Sequence, residues 1–180
     1  MINPPLKFKG KFRIPSNRLK GWDYGMPGFY FVTICTQNKE PWFGEIRGDQ
    51  MILSPAGEIV TGELEKTPHI RPDIRLEAWV VMPNHIHAII VVDEIPGVET
   101  PRRGVSTNKK NWRPGTLGAI INQFKSICTR RIRAKVWIDF AWQARFYDHI
   151  IRDKKSLENI HNYIIENPAR WTEDEYFSNQ

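Results

Sequence analysis

The sequence predicts an α+β fold, an antiparallel sheet of four to five strands with helices on one face. Three observations carry that expectation. The elements read in the order β, short β, α, β, β, α, β, α. Residues 74–82 and 85–92 are joined only through Pro83-Asn84, so these two strands must be antiparallel neighbours. No run of strands alternates with helices as a doubly wound parallel sheet requires. The split βαβ of ferredoxin-like folds is the economical arrangement.

Residues 1–24 carry Lys7, Lys9, Lys11, Arg13, Arg18 and Lys20 among Pro4, Pro5, Gly10 and Pro15, which reads as a basic arm without regular structure. Phe29 to Cys35 is dense in aromatic and β-branched residues and reads as the first strand. A turn-rich stretch through Pro41 and Gly48-Asp49 leads to a short strand at Met51-Ile52-Leu53. Ser54-Pro55 is an N-cap followed by proline at the first helical position, and the helix holding Ile59, Val60 and Leu64 is expected to end before Pro68.

The strands 74–82 and 85–92 are so apolar that both are expected at the centre of the sheet. Residues 93–114 mix prolines, glycines and charges and read as a mobile surface loop. Leu117 to Arg133 follows as a helix with Leu117, Ile120, Ile121, Phe124 and Ile127 on one side. Phe146 to Ile151 is the last strand. The last helix, 154–167, packs through Leu157, Ile160 and Ile164 and stops at Asn167 because Pro168 cannot continue it. The expected organisation is thus an arm (1–24), a single domain (25–172) and a short tail (173–180).

A chain of 180 residues, 41% of them hydrophobic, can bury one core without staples. Its net charge of +6 and pI near 9.4 favour a polyanionic partner, nucleic acid first and an acidic membrane surface second. Cys35 and Cys128 match no zinc spacing and read as buried thiols of a reducing cytosol. The N-terminus lacks a signal-peptide core, and the longest apolar stretch, around Ala88 to Val92, is too short to cross a bilayer, so a soluble intracellular protein is expected.

The chemistry-bearing residues fall in two places. His85 and His87, two apart on a strand, point to one face with Cα atoms about 6.5–7 Å apart, close enough to converge on one metal ion. Taken alone, the pair is equally compatible with two hydrogen-bonded structural histidines. Tyr163 and Asn167 are four apart on the final helix and share a face separate from its packing stripe. A tyrosine oxygen can attack phosphorus where a metal polarises the phosphate, and an Asn carbonyl can reach the same metal. An exposed tyrosine and an ordinary helix stop would look the same. His149 and His161 share no obvious face with a partner and read as structural or surface residues. Trp42, Trp112, Trp137 and Trp142 are candidates for stacking on bases, whereas Trp79 and Trp171 read as packing residues.

The segments Trp79-Val-Val-Met-Pro-Asn-His85-Ile-His87, Phe146-Tyr-Asp-His-Ile-Ile-Arg152 and Tyr163-Ile-Ile-Glu-Asn167-Pro168, in that order, resemble the single-tyrosine HUH transposases, and within them the REP-associated tyrosine transposases. The resemblance runs from about Trp22 to Trp171. It implies the HUH nuclease architecture, with His85, His87 and Asn167 as ligands of Mg²⁺ or Mn²⁺ and Tyr163 as the catalytic nucleophile. It further implies cleavage and rejoining of single-stranded DNA through a 5′-phosphotyrosine, a hairpin substrate of repetitive palindromic type, no membrane partner, and a cytoplasmic, nucleoid-associated protein. Relatives differ over whether the tyrosine serves its own subunit or a partner's, which leaves a homodimer open. Lys9, Lys11, Arg13, Arg18, Arg102, Arg103, Lys125, Arg130 and Arg131 are the candidate DNA-binding cations, with specificity expected in the arm and the 93–114 loop. The competing readings are a non-catalytic single-strand-binding module on the same sheet, and a metal-dependent hydrolase that uses water.

Overall fold

The structure, a computed structural model, describes residues 7–8, 11–12, 19, 21–94 and 115–177, the first four by their backbone alone. The arm holds two short strands, β1 (Lys7–Phe8) and β2 (Lys11–Phe12), paired antiparallel where no regular structure was expected. The main sheet contains β3 (Gly28–Cys35), β6 (Ile74–Val81), β7 (His85–Val92) and β8 (Tyr147–Ile151), in the order β6-β7-β3-β8 with every neighbour antiparallel. Helix α1 (Pro55–Ile70) connects β3 to β6, and α2 (Leu117–Lys135) lies between β7 and β8. This is the ferredoxin-like βαββαβ order. A final helix, α3 (Lys154–Glu166), follows β8.

The helices do not share one face. Tyr30, Val32 and Ile34 of β3 and Ile86, Ala88 and Ile90 of β7 join Val60 and Leu64 of α1 and Ile121, Phe124 and Cys128 of α2 in the larger core. On the opposite face Ile89, Ala78 and Ile151 meet Ile164 of α3, with Leu157 and Ile160 beside it. The striped helix α3 needs a second apolar surface, and the odd positions of β7 supply one. His85 and His87 are odd positions, so they lie on the α3 face.

One strand expected at the centre sits at an edge. Strand β6 is apolar because helices cover both of its faces, which says nothing about hydrogen-bonding neighbours. A bulge between Leu76 and Ala78 exchanges its faces: Leu76 and Trp79 pack toward the larger core, Ala78 and Val80 toward α3. Arg75, bonded to Asp93 at 2.6 Å, and Glu77 put charge on this edge, a common guard against further pairing.

Two further differences have local causes. Gly48 (φ 53°) and Asp49 (φ 63°) both adopt the left-handed region, as a two-residue type I′ turn needs, and they join β4 (Gly44–Arg47) to β5 (Gln50–Leu53). The sequence reading had only the second of these strands. Helix α1 passes through Pro68 to Ile70. The Thr67 hydroxyl donates to the Glu63 carbonyl at 2.8 Å and the Arg71 N–H closes on the Thr67 carbonyl at 2.9 Å, which preserves the final turn. Trp22 and Tyr24, at the expected end of the arm, pack with the larger core.

Gly57, in the first turn of α1, sets the approach of that helix to the β4 entry. A Cβ there would lie 2.2 Å from the Phe43 carbonyl oxygen and 2.9 Å from Leu53 Cδ2. Helix propensity alone favours alanine by about 1 kcal/mol. The clash is against backbone and dominates, so Gly57→Ala is expected to cost about 1–3 kcal/mol. A lowered urea midpoint at unchanged m-value checks this; an equal or higher midpoint would mean that the helix moves freely away from Phe43.

Candidate active site

The site is built on the register of β3 against β7, in which Thr33 faces His87 and Cys35 faces His85. The Thr33 Oγ1 lies 2.9 Å from His87 Nδ1. Asn84, in the connection between β6 and β7, holds the other histidine. Its Nδ2 donates to the carbonyls of Lys39 (3.1 Å) and Tyr176 (2.9 Å), which identifies its other atom as the oxygen. That Oδ1 lies 2.8 Å from His85 Nδ1 and can only accept, so Nδ1 of His85 carries the proton and Nε2 presents a lone pair.

The residues of α3 arrive from the other side of the histidines. Tyr163 and Asn167 lie one turn apart at the end of α3, whose apolar stripe presses its flank onto the sheet. The Tyr163 hydroxyl lies 3.1 Å from His87 Nε2 within the same chain. It donates to Asp174 Oδ2 at 3.1 Å, and Asn167 Nδ2 donates to that same oxygen at 2.8 Å. With its proton turned to Asp174, the tyrosine oxygen accepts from His87 Nε2, and the Thr33 hydroxyl donates to Nδ1. Phe31 stacks on His87 with ring centroids 5.3 Å apart and meets the Tyr163 ring edge-on.

Residues 173–177, which the sequence reading sets apart as a tail, pack into this site. Asp174 Oδ1 accepts from the Tyr176 backbone N–H at 2.7 Å, and the Tyr176 ring lies over His85 with centroids 4.7 Å apart. Trp171 stands 5.9 Å from the His85 ring, so it lines the site. Asp174 was not among the sequence candidates. The signal for it was its aromatic setting, Trp171, Tyr176 and Phe177, which is too apolar for a solvated tail.

His85 and His87 are 0% and 1% exposed, and Asn167 is 2% exposed. Burial lowers the pKa of both histidines; the neighbouring His87 adds to the effect at His85, and Asp174 opposes it at His87. Both imidazoles are therefore neutral at pH 7 and able to ligate. Burial alone would raise the Asp174 carboxyl, but the His87 ring, Asn167 and the Tyr176 N–H hold it well below the usual carboxylate range. Burial and the Asp174 charge push the Tyr163 phenol up, so it is protonated at rest.

His85, His87 and Asp174 offer ligand atoms that all lie within 4.8 Å of one another. Among the described residues, three buried side-chain polar atoms make no hydrogen bond, and two of them are His85 Nε2 and Asn167 Oδ1. Leaving such atoms unpaired costs about 1–3 kcal/mol each, so their coincidence at one place is what a cation site requires. Two imidazole nitrogens with carboxylate and amide oxygens suit a divalent ion such as Mn²⁺ or Mg²⁺. Ligation by His87 Nε2 requires the other tautomer: the ring proton moves to Nδ1, which then donates to Thr33 Oγ1, and Nε2 gives up the tyrosine hydroxyl.

The candidate DNA-binding cations separate. Lys125 turns inward, its ammonium donating to the Gln143 carbonyl at 2.5 Å, and burial lowers its pKa. Arg131 pairs with the buried carboxylate of Glu63. Arg130 is exposed on α2. Lys9, Arg13, Arg18, Arg102, Arg103 and the side chain of Lys11 lie outside the described residues, as does Trp112. Trp42 and Trp142 are partly buried with Phe43 and Phe140, and Trp137 is 39% exposed against Trp42. Among the described residues no helix is long and apolar enough to cross a membrane.

No family model matches the sequence. The chain is 37% identical over 173 residues to an uncharacterized protein of Haemophilus influenzae, covering 90% of this chain and 92% of that one. It is 25% identical over 143 residues to the REP-associated tyrosine transposase of Escherichia coli K12, covering 79% and 67%. Its structure is similar to that of a REP-associated tyrosine transposase solved bound to a REP hairpin, with a TM-score of 0.59 and 22% identity over 88% of this chain and 74% of that one. The chain belongs to one family with the Haemophilus influenzae protein, and it shares the fold of the REP-associated tyrosine transposase solved with a REP hairpin.

Proposed function

We propose that this protein is a divalent-metal-dependent endonuclease and strand transferase for single-stranded DNA, with Tyr163 as nucleophile and a 5′-phosphotyrosine intermediate. The observation that carries the reading is the Tyr163 hydroxyl, 3.1 Å from His87 Nε2 in the same chain and beside two orphaned buried ligand atoms. That distance supports catalysis in cis, because in-line attack needs near-contact. The likeness to a transposase solved with a REP hairpin supports hairpin DNA of repetitive palindromic type as the substrate. Such a substrate supports a cytoplasmic protein, associated with the nucleoid when bound.

His85, His87 and Asp174, with the Asn167 carbonyl, would hold Mg²⁺ or Mn²⁺, which when bound neutralises charge on the scissile phosphate. Thr33 and Asn84 fix the two rings so that their Nε2 atoms converge. Asp174 and Asn167 orient the tyrosine from its own helix and from the segment after it. Tyr163 Oη attacks phosphorus, the bond to the 3′ oxygen breaks, and the phenolic proton leaves as the 3′ hydroxyl forms. The phosphotyrosine keeps the phosphodiester bond energy, so a 3′ hydroxyl can reverse the step and join strands. The net charge of +6 favours the polyanion, with affinity falling steeply as salt rises.

Three results are expected. Wild-type protein with Mn²⁺ and a hairpin oligonucleotide forms a denaturation-resistant adduct, which Tyr163→Phe abolishes while still binding the DNA. An adduct formed by Tyr163→Phe would remove the tyrosine mechanism, and binding without any adduct in the wild type would leave a single-strand-binding module. Mixing Tyr163→Phe with His85→Ala restores no adduct if the tyrosine serves its own subunit; restoration would show exchange between subunits. Thr33→Val keeps the shape of the strand but frees His87 Nδ1, and is expected to weaken Mn²⁺ binding about 10- to 100-fold in a calorimetric titration; unchanged affinity would mean that packing against Phe31 orients the ring.

A further inference from the structure

A cleft of about 550 Å³ lies between the turn Gln37–Lys39 on one side and residues 142–144 on the other. Both sides are tied to His85. The Lys39 carbonyl accepts from Asn84, which holds the His85 ring, and the Gln143 N–H donates to the carbonyl of Cys35, the strand partner of His85, at 2.9 Å. The Gln143 carbonyl in turn takes the desolvated ammonium of Lys125. A buried lysine is costly, and here it fixes a backbone segment whose Gln143 side chain points to solvent.

The opposite side is held in an unusual conformation. Asn38 (φ 56°) and Lys39 (φ 58°) are consecutive non-glycine residues in the left-handed region. Such geometry persists where surrounding contacts impose it, and it is concentrated at functional sites. Here the Gln37 N–H donates to the Ala141 carbonyl, and Lys39 Nζ donates to the Glu175 carbonyl while lying 5.1 Å from the Tyr176 ring. The exposed amides of Asn38 and Gln143 make no side-chain hydrogen bond among the described residues.

We propose that this cleft is a nucleobase subsite for the single strand next to the cleaved phosphate, and that the amides of Asn38 and Gln143 select adenine there. The assignment rests on the single-strand DNA reading above. An Asn or Gln amide can donate to N7 and accept from the N6 amino group of adenine at once, whereas guanine calls for arginine or lysine and cytosine for a carboxylate. Among the described residues the cleft lining holds no arginine and no carboxylate, and its lysine is already committed. The half-buried Trp142, with its Nε1 donating to the Lys125 carbonyl at 3.2 Å, offers a fixed ring surface for the base.

The test uses the full chain carrying Tyr163→Phe, which cannot cleave, and a hairpin DNA whose single-stranded flank is randomised. Bound molecules are recovered and sequenced. Adenine is expected to be enriched at one flank position, and Asn38→Gly or Gln143→Ala in that background is expected to cut this enrichment about 10-fold. Glycine suits the left-handed backbone at position 38, so that variant removes the amide without the conformation, and unchanged thermal melting verifies the fold. No enriched base in the parent, unchanged enrichment in both variants, or a loss spread over all positions would overturn the subsite. The adduct assay on wild-type protein reads separately: base selection without an adduct leaves the subsite standing and removes the nuclease.

Discussion

Strand pairing between β3 and β7 is the constraint on which the site depends. Because side chains alternate, a slip of one residue would turn both histidines into the larger core and bring Ile86 out. The register is held by the apolar sets on both faces of β7, all eight of whose residues are buried. It also fixes Thr33 opposite His87, so one pairing supplies both the ring and its orienting hydroxyl. The site therefore inherits the rigidity of the sheet centre.

The same pairing creates a polar problem at the end of an apolar strand. Asn84 solves half of it by committing its side-chain amide to His85, Lys39 and Tyr176. Tyr163, Asn167 and Asp174 answer the rest from α3 and the segment after it, and they leave His85 Nε2 and Asn167 Oδ1 unpaired. A folded core tolerates few such atoms, and two in residues that flank Asp174, a carboxylate held ionised, mark a place for a cation. The chemistry proposed here rests on that unfinished hydrogen bonding together with the Tyr163 hydroxyl beside it.

Much of this was legible in the sequence, for reasons that can be named. Long periodic elements with clear ends, such as α3 with Asp153 as its N-cap and Pro168 beyond it, were read correctly because local chemistry decides them. The histidine and Tyr163/Asn167 pairs were legible because strand and helix periods place them on defined faces. The placement of β6 at an edge was not, since apolarity reports covered faces, and neither was the bulge that exchanges them. The packing of α3 on the face opposite α1 and α2 depends on where the chain turns after β8. Asp174 was hidden because its role comes from a contact with α3 made only after the chain folds back. Lys125 and Arg131 looked like phosphate ligands because charge on a helix is visible in sequence, whereas the Gln143 carbonyl and Glu63 that engage them are not.

The central claim, that the two β7 histidines form a metal centre within reach of Tyr163, is tested most directly by pulsed electron paramagnetic resonance of the Mn²⁺-loaded protein. One tightly bound ion is expected, with couplings to two imidazole nitrogens, one lost in His85→Ala and the other in His87→Ala. A bound ion without nitrogen couplings, or no ion bound at the ordinary affinity of a buried four-donor site, would contradict it.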